Sequence, residues 1–161
     1  MIQKVDISIV ILNYNSLEFL KDSIDSINKS KLNKISVETI VVDNASSDDS
    51  VSIIKRNYPK IKLIASKKNT GFAGGNNLAK RVTYGRYILF LNSDTEVSQK
   101  TFDTMISFLD EHTDAGAATC KVVMPNGQLD DGSHRGFPTP WNAFCYFSGI
   151  SKLFPNSMLL N

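Results

Sequence analysis

Residues 69–77 read Asn-Thr-Gly-Phe-Ala-Gly-Gly-Asn-Asn, between the short apolar run Ile61 to Ala65 and a helix-like stretch around Asn77 to Val82. Glycines beside asparagines, placed after a strand and before a helix, let a backbone come close to an anion. No Cβ intervenes, and the N–H groups at a helix start favour negative charge. A glycine cluster by itself is more often only a turn. Two neighbours add weight here: the strand-like VETIVVDN (37–44) and YILFLNSD (87–94), each closing on a polar cluster.

Outward from this stretch, apolar runs alternate with helix-like periods from Met1 to Asp114. Ile7 to Leu12 is an aliphatic run broken only by Ser8, as expected of a strand covered on both faces. Asn15 is placed to cap the next helix, with Glu18 three residues on and a stripe of Leu17, Leu20, Ile24 and Ile27. Val37 to Val42 forms a second strand. Ser46 or Ser47 then caps a helix carrying Val51, Ile54 and Tyr58, which Pro59 follows. Ile61 to Ala65 and Tyr87 to Leu91 are the third and fourth strands, and Ser98 starts a helix with Phe102, Met105, Ile106 and Leu109 on one face.

The order βαβαβαβα implies an α/β fold: a Rossmann-like, mostly parallel sheet flanked by helices in three layers. Ligands of such sheets sit outside the C-terminal strand ends. The clusters at Asn13 to Asn15, Asp43 to Asp48, Asn69 to Asn77 and Asn92 to Asp94 all follow strands, so they fall on one edge. After Asp114 the rhythm changes. Gly116 to Met124 reads as a fifth strand, Pro125-Asn126-Gly127 as a turn, and Asp130 to Pro140 as a turn-rich loop. The tail places Trp141, Phe144, Phe147 and Ile150 at helical spacing. The expected boundary sets an α/β domain at 1–124 and a loop with a helical tail at 125–161.

Composition narrows the function. The 161 residues are 42% apolar and 21% charged with net charge +2. There is no dense Lys/Arg run, and Lys67-Lys68 is most simply a solvated loop pair, so nucleic acid is a poor partner. No apolar run is long enough to span a bilayer, and the N-terminus has no export signal pattern. Cys120 and Cys145 lack CxxC spacing and bear no finger-like relation to His112 and His134. Cys120 reads as a small buried residue in a strand, which argues against a zinc site.

Each chemical candidate carries two readings. Asp43, at the end of a buried strand, can accept hydrogen bonds from a ribose or base, or help to cap the next helix; capping is the better reading for Asp48. Tyr14 can stack on a base or be a core tyrosine. Asp94 can ligate Mg2+ or Mn2+, which typically take one or two protein carboxylates and complete their shell with phosphate oxygens and water, or it can cap the Ser98 helix. A metal there would neutralise charge on a departing diphosphate. For a general base Glu96, Glu111, Asp130, Asp131 and His134 are available, and no spacing marks one out.

VVDNASSDDS, NTGFAGGNN and LFLNSDTEV, in this order after a strand ending Asn13-Tyr14-Asn15, resemble the family 2 glycosyltransferases, which are inverting enzymes of GT-A fold that use nucleotide sugars. The NTGFAGGNN and LNSDT variants look most like the rhamnosyltransferase-like branch. The resemblance covers roughly Val5 to Val123. It implies that Tyr14, with Asn13 and Asn15, packs on the nucleobase and that Asp43 and Asn44 bond it. Asn69, Gly71, Phe72, Gly74, Gly75, Asn76 and Asn77 would shape the sugar-diphosphate site, with N–H groups near Gly74 and Gly75 on the leaving group. Asn92, Ser93 and Asp94 would form the metal-binding turn, with Asp94 as the ligand of Mn2+ or Mg2+.

Two positions depart from the family pattern: Asn92 replaces the first Asp of its Asp-x-Asp motif, and Asn76-Asn77 replaces a frequent Arg-Asn. The family's catalytic carboxylate lies in a downstream Glu-Asp segment that this chain does not contain, so the catalytic residue is unknown and the chain reads as the donor-binding half of a longer enzyme. By the same resemblance the donor is a UDP- or dTDP-sugar and the acceptor a glycan or lipid-linked hydroxyl. The location implied is cytoplasmic, at the inner membrane face if the apolar tail lies on lipid; packing on protein is the simpler role for that tail. Three rivals are weaker. A nucleotidyltransferase would carry a basic glycine-rich loop where Asn13-Tyr14-Asn15-Ser16 stands, and a flavodoxin-like signalling domain has no use for the 69–77 stretch. A non-catalytic nucleotide-binding domain remains a fair description of the chain by itself.

Overall fold

The structure, a computed structural model, describes residues 5–30, 32, 35–130, 139–154 and 157. It divides into two compact units, Met1–Ala115 and Gly116–Asn161. In the first, β1 (Val5–Asn13), α1 (Leu17–Lys29), β2 (Val37–Asp43), α2 (Ser50–Asn57), β3 (Lys62–Ala65), α3 (Gly71–Lys80), β4 (Gly85–Asn92) and α4 (Thr101–Glu111) alternate along the chain. The four strands form one parallel sheet in the order β3-β2-β1-β4. The α/β expectation holds.

Side-chain alternation along the strands sorts the core into two layers. Ile7, Ile9 and Ile11 of β1 and Val41 of β2 turn to one face, where they meet Leu20, Ile24 and Ile27 of α1, Ile54 of α2 and Phe102 and Ile106 of α4. Val10, Ile40 and Val42 turn to the other face, which Leu78 and Ala79 of α3 and Val82 in the turn after it cover. The chain moves outward from β1 to β3 and then returns through α3 to the far side of β1. That crossover puts α3 on the opposite face from α1 and α2, and it creates a topological switch point between β1 and its neighbours. Because α3 lies over β1 and β2, the same-face residues of β4, Ile88 and Phe90, stay exposed.

Local expectations differ from the structure at several boundaries. Asn15 does not cap α1: its φ is +52°, and Ser16 takes the N-cap position. α2 starts behind Asp49 rather than Ser46 or Ser47, and α4 starts behind Lys100 rather than at Ser98. The largest shift is in α3, which begins at Gly71, so the glycine stretch is the first half of the helix and not a loop before it.

In the second unit the fifth strand does not form among the described residues. Residues 116–124 reach only a single antiparallel bridge, Val123 with Leu129, around the expected Pro125-Asn126-Gly127 turn. That turn is closed by Gly127 N–H to the Met124 carbonyl at 2.8 Å, with Gly127 at φ +81°. Cys120 is exposed there, contrary to the buried reading, because no sheet forms around it; Cys145 is buried. α5 (Pro140–Phe147) is capped by Thr139, whose Oγ1 accepts from Asn142 N–H, and α6 (Ile150–Leu153) follows Gly149 at φ +79°. This left-handed glycine interrupts the helical spacing between Phe147 and Ile150. Trp141, Phe144 and Phe147 are all exposed. Asp131, Gly132, His134 and the segment 158–160 lie outside the described residues.

Candidate functional site

Parallel pairing fixes where the polar clusters fall. Asn13 is in register with Asp43, Leu12 with Asn92, and Asp43 with Ala65, so β1, β2, β3 and β4 all end at one edge. At this edge the chain gathers Asn13, Tyr14, Asn15, Asp43, Asn44, Ser93, Asp94 and the start of α3.

Asp43 forms the floor. It is buried, and both carboxylate oxygens accept hydrogen bonds: Oδ1 from Asn13 Nδ2 at 3.0 Å and Oδ2 from Ser46 N–H at 3.0 Å. One lone pair remains on each oxygen for a ligand donor. The loops after β1 and β2 are sewn together around it. Ser46 Oγ accepts from Asn15 N–H at 3.0 Å, Asn15 Oδ1 accepts from Ser47 N–H at 2.7 Å, and Asp48 Oδ2 accepts from Leu17 N–H at 3.3 Å. Asn15 and Ala45 both hold positive φ, +52° and +65°. Asparagine tolerates that region, but alanine is strained there, and the tight turn beside Asp43 enforces it. Asp48 does the capping work expected of it: Oδ1 accepts from Ser50 N–H. Burial alone would raise its pKa, but the hydrogen bonds from Ser50 and Leu17 prevail and hold it below the ordinary aspartate range.

Tyr14 is 52% exposed, which removes the core-tyrosine reading and leaves its ring open at the edge. Asn44 behaves differently from a ligand residue. Its Nδ2 donates to Asn69 Oδ1 at 2.8 Å and the Gly71 carbonyl at 3.3 Å, while its Oδ1 accepts from Thr70 N–H at 2.9 Å and Thr70 Oγ1 at 3.2 Å. All four hydrogen-bonding positions of the amide are occupied, so Asn44 positions the start of α3. Asn69 completes that turn by accepting from Gly71 N–H at 2.8 Å.

The three glycines of α3 have separate jobs. Gly71 sits at φ +71°, a conformation that glycine takes without strain. A Cβ on Gly74 would lie 2.8 Å from Thr70 Cβ, and one on Gly75 would lie 2.3 Å from Leu12 Cδ1. A Cβ at either position would force Thr70 or the Leu12 side chain to shift, so Gly74 and Gly75 serve the fit of α3 to its own cap and to β1. Their N–H groups are also the first to enter the helical ladder, so the open donors of the first turn are those of Phe72 and Ala73. Asn76 is buried and donates to the Phe72 carbonyl at 3.0 Å, whereas Phe72 and Asn77 are exposed.

On the other flank, β4 ends at Asn92, and Thr95 N–H closes a turn on the Asn92 carbonyl at 3.2 Å. Asn92 and Asp94 are exposed, and Ser93 Oγ lies 2.9 Å from Ser16 Oγ. No group of three His, Cys, Asp or Glu side chains converges to hold a cation among the described residues. One open carboxylate on a turn matches the part a protein supplies when phosphate oxygens and water complete the shell of Mg2+ or Mn2+, and it does not match a self-sufficient metal cage.

Of the base candidates, Glu111 is misplaced. Its neighbour Asp110 pairs with Arg86 and accepts from Tyr87 Oη at the start of β4, so the end of α4 lies at the opposite edge of the sheet. Glu96 is exposed two residues past Asp94, and Asp130 belongs to the second unit. The Asn13–Ser16–Ser93 contacts and the part played by Asn44 had no signal in the sequence beyond the polar character of the strand ends.

Known proteins resemble this chain in sequence and in fold. The family model "Glycosyl transferase family 2" matches residues 8–159. Over 110 residues the chain is 34% identical to the minor teichoic acid biosynthesis protein GgaB of Bacillus subtilis, covering 66% of this chain and 12% of that protein. Over 108 residues it is 29% identical to the Staphylococcus aureus poly(ribitol-phosphate) beta-N-acetylglucosaminyltransferase TarS, covering 65% and 19%. The crystal structure of TarS 1–349 superposes with a TM-score of 0.61 at 28% identity, over 68% of this chain and 33% of that one. The chain thus spans a fifth or less of the length of these two curated relatives. A mannosyltransferase from Pyrobaculum calidifontis, solved in complex with GDP-Man and Mn2+, shares the fold with a TM-score of 0.61 at 20% identity, over 78% and 37%. The parallel sheet, the ordered strand-end motifs and a family match across nearly the whole length agree: this chain belongs to glycosyl transferase family 2.

Proposed function

We propose that the chain is the donor-binding part of a glycosyltransferase that moves a sugar from a nucleoside diphosphate to the hydroxyl of a cell-surface glycan or lipid-linked acceptor, with inversion. The observation that carries this reading is the convergence of Tyr14, buried Asp43, the open first turn of α3 and exposed Asp94 on one sheet edge. Tyr14 stacks on the base and the Asp43 carboxylate accepts from a base N–H. The N–H groups of Phe72 and Ala73, with Asn77, take the sugar-diphosphate, and Asp94 with the Asn92 carboxamide holds the divalent cation. That cation, when bound, neutralises charge on the diphosphate. The acceptor oxygen attacks the anomeric carbon in line as the bond to the diphosphate breaks. The electron pair leaves with the diphosphate, and the acceptor proton passes to a base to which no described residue is assigned.

A uridine diphosphate sugar is the donor we favour, on the relation to TarS, itself crystallised with UDP-GlcNAc. The rhamnosyltransferase-like branch rests on the NTGFAGGNN and LNSDT variants alone and implies a deoxythymidine donor instead. The chain is proposed to comprise an α/β domain followed by a loop and a helical tail, and the enzyme to work in the cytoplasm, its acceptor brought to the membrane face; no helix is long and apolar enough to cross a membrane among the described residues.

Calorimetric titration with UDP, dTDP and GDP, with and without Mn2+, tests the reading beside Asp94→Ala. Metal-enhanced binding of UDP, with the enhancement lost in the variant, is expected. Tighter dTDP binding would move the assignment to the rhamnosyl branch. Binding of none of the three would refute the donor site.

A further inference from the structure

The hydroxyls of Ser16 and Ser93 join two halves of the site that are 77 residues apart in sequence. Ser16 Oγ donates to Asn13 Oδ1 at 2.8 Å, so its only proton is committed and the 2.9 Å contact with Ser93 must be a bond donated by Ser93. Asn13 Nδ2 in turn donates to Asp43 Oδ1. Every donor in the series Ser93, Ser16, Asn13 therefore points towards the Asp43 carboxylate. A chain of this kind, ending on a charged acceptor and largely out of water, is polarised in one sense, and each bond strengthens the next.

We propose that Ser16 and Ser93 are positioning residues that set the Asn92–Ser93–Asp94 turn in place relative to the Asp43 floor. They link the part of the site that takes the nucleobase to the part that takes the diphosphate and its cation. This rests on the donor-site reading above. Asp94 is the exposed end of a short turn, held by one backbone bond of 3.2 Å from Thr95 to Asn92. Ser93 gives that turn a side-chain link to the buried end of β1. Without it Asp94 keeps its charge and loses its fixed position.

The variants Ser93→Ala, Ser16→Ala, the double variant and Ser93→Thr are titrated with UDP and with UMP, each with and without Mn2+. In Ser93→Ala the factor by which Mn2+ tightens UDP binding is expected to fall about five-fold, the worth of one ordinary hydrogen bond. Metal-free UMP affinity falls by a much smaller factor. The double variant is no worse than Ser16→Ala, and Ser93→Thr, which keeps the hydroxyl, restores the factor. Amide exchange at Thr95, followed without nucleotide or metal, speeds up in Ser93→Ala. An unchanged Mn2+ factor, or an equal loss for UMP and UDP, overturns the proposal. If the wild type binds no nucleotide, the donor reading falls, and unchanged Thr95 exchange then also removes the link from Ser93 to the turn.

Discussion

Replacing Asn13 by Asp tests the buried floor of the site through one atom. Asn13 and Asp43 are both buried, with Asn13 Nδ2 3.0 Å from Asp43 Oδ1. The isosteric change turns this hydrogen bond into an approach of two carboxylate oxygens. At 3.0 Å and an effective dielectric constant near 20, the repulsion between two full charges would be about 5 kcal/mol. The folded chain avoids it by keeping one proton on the pair. Taking up that proton at pH 7, for a carboxyl that would ionise near 3.9 in the unfolded chain, costs about 4 kcal/mol, so this route sets the loss. The sign follows from proton counting. The folded variant binds one proton that its unfolded form lacks, so its stability falls by about 1.4 kcal/mol per pH unit above roughly pH 4. Urea unfolding of Asn13→Asp and wild type at pH 5, 6 and 7 measures this. The gap is expected to widen steadily with pH, and the Asn13→Asp/Asp43→Asn double variant, which restores one donor and one acceptor, is expected to remove the slope. A deficit independent of pH would refute the reasoning, since simple misfit of the side chain does not titrate.

Glu38 is held below the ordinary glutamate range: burial works against this, but bonds from Lys62, Ser8 and Tyr84 N–H outweigh it. A lowered folded pKa adds stability above the unfolded value and loses it as pH falls through the folded one. Glu38→Gln is thus expected to cost about 1–3 kcal/mol at neutral pH, with the difference closing in acid titrations of stability. Gly85→Ala would bring a Cβ to 2.4 Å from the Ser8 backbone nitrogen, which cannot move aside, so chemical denaturation should show a loss of about 2–3 kcal/mol. Gly116→Ala, with open space around it, should stay within about 0.5 kcal/mol. Asn44→Ala leaves Thr70 N–H without its partner and removes one of the two bonds to Asn69 Oδ1, and a loss of about 1–3 kcal/mol with weaker UDP binding is expected by calorimetry.

The sequence by itself determined the layers and the edge. Aliphatic runs of strand length, separated by helical periods, leave a parallel sheet between helices as the only way to bury Ile9, Val10, Ile40 and Val41 together, and parallel strands place every strand-end cluster on the same side. The identities of Asp43 and Asp94 as candidate site residues were legible for that reason. The tertiary structure decided what each polar residue is used for. Asn44 and Asn69 look like ligand residues in the linear text, yet the Asn44 amide and the Asn69 carbonyl oxygen are spent on the start of α3. Gly75 looks like an opening for an anion, yet Leu12 lies where its Cβ would be. Ser16 carries no signal, and Ser93 none beyond its place between Asn92 and Asp94, until the sheet brings β1 and β4 side by side. Hydrogen-bond partners and contacts across strands depend on register and on the distances between elements far apart in sequence, and those are fixed only when the chain has folded.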